Sequence, residues 1–138
     1  MSALGLGLPP TLRAALQAEA RRAAPNEVCG VLGGVWRGRL CYAQRHVAIP
    51  NASPTPHSHF LMPQAAIVAA AAALQRARCQ LIGVYHSHPY APPVPSPVDL
   101  AECTWEATPY LIIGYAATQP SFAAWLIEAA TCTHLALI

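Results

Sequence analysis

The chain has 138 residues, 54% hydrophobic and only 10% charged, which fits a single domain, residues 1–138, with a sizeable core. All eight basic residues are arginines, and against six acids they leave a formal net charge of +2 with no dense basic run; this argues against nucleic acid as the main partner. Five cysteines (Cys29, Cys41, Cys79, Cys103 and Cys132) form no C-x-x-C pair, and with no secretory signal they point to free thiols in a reducing cytoplasm rather than to disulfides or a zinc ribbon.

Residues 1–9 read as a frayed start. A helix is expected from residue 10 or 11 to about 24, with Leu12, Leu16 and Ala20 as its apolar stripe and Arg21-Arg22 at its end. Pro25-Asn26 breaks it. Residues 28–36 are almost continuously apolar, which predicts a buried strand, and Gly33-Gly34 marks a bulge or a close backbone approach. Cys29 in this strand reads as a small buried residue rather than a nucleophile. Arg37-Gly38 turns the chain, and residues 40–49 return as a partner strand.

Residues 50–63 form a loop that carries His57-Ser58-His59. Pro54, Thr55 and Pro56 precede this pair, so no apolar strand aims both rings at one point. It reads as surface loop, the alternative being a contact to substrate or metal. His46 and His134 are lone histidines, packed or solvated. Residues 63–77 include AAIVAAAAAL, apolar nearly all round. Such a helix is buried on more than one side or faces a partner subunit, as in a homodimer. It is too short to cross a membrane.

Residues 81–85 form a short apolar strand that leads into His86 and His88. Residues i and i+2 of a strand share a face, so both imidazoles project into one site, an arrangement suited to gripping one metal ion. Pro89, Pro92, Pro93, Pro95 and Pro97 then make a stiff excursion with few backbone donors. It ends in a helix start: Ser96 as N-cap, Pro97 at the first helical position and Asp99 at the third. Asp99 is the only aspartate in the chain and the candidate third ligand. A helix is expected over 97–105, strands over 110–115, 122–128 and 134–138, and a turn over 117–120. Interleaved helices and strands make this an α/β protein, a mixed β-sheet flanked by helices.

His-x-His-Pro, ten residues over 89–98 and then the Asp of Ser-x-x-Asp resemble the signature of the JAMM (MPN+, JAB1/Mov34/PAD-1) zinc metalloproteases. Glu27 in PNEVCGVLGG matches that family's early glutamate. Glu27, Cys29, Gly30, Leu32 and Gly34, with Asp99-Leu100-Ala101-Glu102, look most like its compact bacterial branch. The resemblance runs from about residue 25 to the last strand. It implies a cytidine-deaminase-like JAB1/MPN fold and Zn²⁺ held by His86, His88 and Asp99, with one open position for water. It implies Glu27 as general base and then acid, and Ser96 as hydrogen-bond partner of the oxyanion or the bound water. The implied substrate is an amide or isopeptide bond after the C-terminal Gly-Gly of a small ubiquitin-like protein of the sulfur-carrier type. Its extended tail would add a strand to a sheet edge beside the zinc, with Cys41, His57, His59 and Tyr90 as groove candidates. Two other classes stand beside this one. A non-catalytic MPN-type interaction module conflicts with the intact five-residue set. A RadC-type protein conflicts with the loop Tyr90-Ala91-Pro92-Pro93, which lacks glycine, and with the next strand YLIIGY, which lacks an Asp-His pair.

Overall fold

A computed structural model describes residues 2–138. In chain order the elements are β1 (Gly5–Gly7), α1 (Pro10–Ala23), β2 (Cys29–Arg37), β3 (Leu40–Ile49), α2 (Gln64–Arg76), β4 (Gln80–Ser87), α3 (Pro97–Glu102), β5 (Tyr110–Ala116), β6 (Gln119–Glu128) and β7 (Thr131–Leu137). The strands run in the order β1-β3-β2-β4-β5-β6-β7 and close into a barrel, because β1 pairs in parallel with both β3 and β7. The expected mixed sheet with helices is present: β4–β5 is parallel, while β2–β3, β2–β4, β5–β6 and β6–β7 are antiparallel. Its closure was not expected.

Residues 1–9 do not fray as a whole. Among the described ones, Leu6 and Leu8 are buried, and Gly5–Gly7 seal the barrel. No pattern within GLG asks for a strand. It forms because Leu40–Tyr42 and Ala136–Leu137 supply partners on both sides. The Gly33-Gly34 expectation is met by register shifts between Leu32 and Gly33 and between Gly33 and Gly34. A Cβ on Gly34 would run into the Tyr42 carbonyl oxygen.

Side chains alternate across the sheet and feed two cores. Tyr85 of β4 packs with Leu6, Leu12, Leu16, Leu32 and Leu111 on the α1 side. Its neighbour Val84 packs with Val31, Ile49, Leu74, Tyr110 and Ile127 on the α2 side. Helix α2 is not buried on more than one side. Only Ala70 and Leu74 are buried, and Val68 is 58% exposed. Alanine is small enough to leave little apolar area on that outer face, so the run can face solvent without a second layer. Helix α3 stops at Glu102 rather than near 105, because Cys103 turns to extended backbone (φ −63°, ψ 124°).

Candidate active site

The site is built where β4 runs out. His86 is opposite Cys29 of β2 and Ile112 of β5, so both neighbouring strands fix its backbone. Its ring is fully buried and stacks on Phe60, with centroids 4.5 Å apart and planes at 21°. His88 lies one residue beyond β4, but its N–H still donates to the Ile113 carbonyl at 2.8 Å. Its Nδ1 lies 3.0 Å from the Pro92 carbonyl. A carbonyl only accepts, so Nδ1 carries a proton and Nε2 is turned into the site.

Asp99 arrives on α3, and its position follows from the helix start. Ser96 Oγ accepts from the Asp99 N–H at 3.0 Å, and the Ser96 N–H donates to Asp99 Oδ2 at 2.9 Å. This is a reciprocal capping box with Pro97 behind it. It leaves Asp99 Oδ2 3.2 Å from His86 Nε2 and 3.0 Å from His88 Nε2, while the two Nε2 atoms are 3.1 Å apart. With the His88 proton on Nδ1, lone pairs on Nε2 and on the carboxylate face each other. Such a triangle needs a shared cation, a proton or a metal ion. Two imidazoles and a carboxylate, all buried, form a donor set that fits Zn²⁺. Burial lowers the His86 pKa. Burial also pulls on His88, but hydrogen bonds to Asp99 and Pro92 outweigh it and raise the pKa. Burial by itself would raise Asp99, yet its two histidine partners hold the carboxyl well below the usual carboxylate range.

Glu27 lies two residues before β2, beside this triangle rather than in it. It is 7% exposed, and its Oε1 is buried with no hydrogen-bond partner among the described residues. Burial raises its carboxyl pKa to about 7; the nearby His88 pulls it down and Asp99 pushes it up. A carboxyl near 7 next to a metal-type donor set can accept and return a proton at neutral pH. Cys29 is excluded as a nucleophile: burial lifts its thiol to about 12, and its S–H donates to the Ile49 carbonyl at 3.3 Å.

A cleft of about 690 Å³ opens beside Asp99, walled by Ser53, Thr55, His59, Phe60 and Leu61 on one side and by Val98, Glu102 and Trp105 on the other. His59 therefore faces the cleft, with Nδ1 2.7 Å from Ser58 Oγ, while His57 is exposed; neither joins the donor triangle. Tyr90 is exposed, and Cys41 is fully buried against the Gly5 carbonyl, so Cys41 cannot line a groove. Strands β2 and β4, which deliver the site, have neighbours on both sides there, while β3 beyond Tyr42 is paired only with β2. Phe60, Asn51 and Ser87 were not singled out in the sequence. Their only signal was position, after the proline-rich turn, at the end of a strand, and between the two histidines.

The family model described as "Prokaryotic homologs of the JAB domain" matches residues 9–128. The chain is 39% identical over 111 residues to a "Probable TtuB-protein conjugate cleaving protease" of Thermus thermophilus, covering 80% of this chain and 71% of that one. It is 33% identical over 116 residues to the desampylase of Haloferax volcanii, covering 81% and 82%. A solution structure from Desulfitobacterium hafniense superposes with a TM-score of 0.87 at 28% identity, covering 96% of this chain and 91% of the other. A JAB1/MPN domain protein of Archaeoglobus fulgidus shares the fold at a TM-score of 0.59 and 17% identity, over the full length of both chains. The buried His-His-Asp triangle, the neighbouring glutamate and these matches have one reading: the chain belongs to the prokaryotic JAB family.

Proposed function

We propose that this JAMM-type peptidase holds Zn²⁺ at His86, His88 and Asp99 and hydrolyses an amide or isopeptide bond after the C-terminal Gly-Gly of a small ubiquitin-like protein of the sulfur-carrier type. The observation that carries this reading is the convergence of His86 Nε2, His88 Nε2 and Asp99 Oδ2 within 3.0–3.2 Å, with the unpartnered Glu27 beside them. The names of the two relatives, one cleaving TtuB–protein conjugates and one a desampylase, support the substrate class. The cytidine-deaminase-like description of the fold rests on the family resemblance.

Zn²⁺, when bound there, would lower the pKa of a water toward neutrality and polarise the scissile carbonyl. Glu27 takes a proton and passes it to the leaving amine; burial raises its carboxyl above the usual carboxylate range and makes it a stronger base. Ser96 Oγ already accepts from the Asp99 N–H, so its own O–H is free to donate, and we assign that proton to the developing oxyanion. His88 keeps its tautomer through Pro92, and His86 keeps its ring plane through Phe60. The substrate tail lies along the cleft between the 53–61 loop and α3, which opens beside Asp99.

The test is a cleavage assay. Zinc-loaded wild type and Glu27→Gln receive a sulfur-carrier protein extended past its Gly-Gly by cysteine or a short peptide, with products identified by mass. Cleavage after the second glycine by wild type alone is expected. Intact substrate with zinc bound to the wild type overturns the substrate assignment.

A further inference from the structure

Glu27 belongs to no helix or strand, and no hydrogen bond among the described residues holds its carboxyl group. Its placement must therefore come through its backbone, which is gripped on every side. The Glu27 N–H donates to the Pro56 carbonyl at 2.7 Å, and the Glu27 carbonyl accepts from Asn51 Nδ2 at 3.0 Å. One residue on, the Val28 N–H donates to Ser87 Oγ at 2.8 Å while the Ser87 N–H donates to the Val28 carbonyl at 3.0 Å. Cys29 faces His86 in the ladder, so Val28 and Ser87 would form its next pair. In this pair the serine hydroxyl takes the place of its own carbonyl as acceptor, and the chain leaves the ladder at the point where Glu27 must reach the site.

Asn51 spends its whole amide on the same junction. Nδ2 donates to the Glu27 carbonyl at 3.0 Å and to the His59 carbonyl at 2.9 Å; Oδ1 accepts from the Ser53 and Leu61 N–H groups, both at 3.0 Å. Two carbonyls and two N–H groups permit only this orientation of the amide, and they saturate it. Ser53, His59 and Leu61 wall the cleft beside Asp99. One side chain thus ties the cleft wall to the backbone of Glu27.

We propose that Asn51 and Ser87 are positioning residues for Glu27, fixing the base by its backbone and joining it to the loop that lines the substrate cleft. This rests on the reading of Glu27 as base given above. Asn51→Asp is nearly isosteric; it keeps the acceptor for Ser53 and Leu61 but turns an acceptor toward the Glu27 and His59 carbonyls. Amide hydrogen exchange at Glu27 should then quicken at least tenfold, and kcat should fall by about 10- to 100-fold with zinc content within twofold of wild type. Ser87→Ala should do the same, with faster exchange at Val28, and carries the test if Asn51→Asp does not fold. In a Glu27→Gln background either substitution should lower the residual rate by less than twofold, whereas a merely structural defect would lower it as much as in the wild type. Folded variants with wild-type exchange at Glu27 and Val28 and wild-type kcat overturn the proposal. If zinc-loaded wild type cleaves nothing, the functional reading fails by itself, and exchange at these two amides still decides for or against the clamp.

Discussion

Trp125 Nε1 on β6 donates to the Pro93 carbonyl at 2.9 Å, so a side chain 32 residues away in sequence pins the loop that orients His88. The three consecutive carbonyls of that loop are all taken. Ala91 accepts from the Tyr115 N–H at 2.9 Å, Pro92 faces His88 Nδ1 at 3.0 Å, and Pro93 is held by the indole. Gly114 lets the loop lie flat on β5, since a Cβ there would stand 2.6 Å from both the Ala91 oxygen and the Pro93 nitrogen. Trp125→Phe should weaken metal binding by about tenfold, and Gly114→Ala by more, because outer contacts set the ligand's orientation. Competition against a chelator measures both; unchanged affinity in Gly114→Ala would show that the loop does not govern His88.

Asp99 and Glu27 should separate cleanly by metal analysis. Asp99→Ala removes one of three donors and the carboxylate half of the capping box, so the purified protein should carry no stoichiometric zinc and lose about 1 kcal/mol of stability at the helix start. Glu27→Gln should keep its zinc and lose turnover by about 10²- to 10⁴-fold. Full zinc in Asp99→Ala would sink the ligand assignment.

The buried Glu27 carboxyl should leave a mark on stability against pH. Its pKa is raised from 4.5 to about 7, so the metal-free fold accommodates the protonated acid and pays when it ionises. Glu27's favourable contribution is complete below pH 4.5 and is lost as pH rises through 7. Metal-free Glu27→Gln should match the wild type in urea unfolding at the acid end and exceed it by about 3 kcal/mol at pH 8. In the loaded enzyme a nearby cation lowers the same pKa, so the acid limb of kcat/KM should fall at or below pH 7. Equal stability of the two proteins at both pH values would refute the burial argument.

Tyr85 tests the independence of the two faces of β4. Its hydroxyl donates to both carboxylate oxygens of Glu19 on α1, at 3.0 and 2.9 Å, away from the histidine side. Tyr85→Phe leaves Glu19, whose pKa burial already raises, with the His46 ring nitrogen Nε2 3.6 Å from its carboxylate. A loss of about 1–3 kcal/mol is expected in thermal or urea unfolding, with zinc content and kcat unchanged. A large fall in kcat would mean that the faces are coupled.

Much of the site was legible because its signals are local. Alternation along β4 puts His86 and His88 on one side, and the Ser96-Pro97-Val98-Asp99 start specifies its own capping box. Proline at the start of α1 and at the N-cap of α2, and the turn at Arg37-Gly38, set boundaries within a residue or two. Glu27 was found mostly through resemblance, since a glutamate after Pro-Asn has no local reason to be anything but solvated. Asn51, a half-buried residue after a strand, carries no mark in sequence that its amide joins three segments.

What the sequence determined by itself was therefore the set of elements whose causes lie within a few residues: two helices with proline starts, the apolar strands, the histidine pair and the capped aspartate. The tertiary structure decided the rest. Gly5–Gly7 become a strand only because β3 and β7 arrive on either side. The alanine-rich helix keeps an exposed face because only Ala70 and Leu74 of it are buried. Glu27 becomes a buried acid near pKa 7 only because β2, β4 and the 53–61 loop close around it. Hydrogen-bond partners and desolvation are supplied by residues far along the chain, and no local pattern encodes what a distant segment will cover.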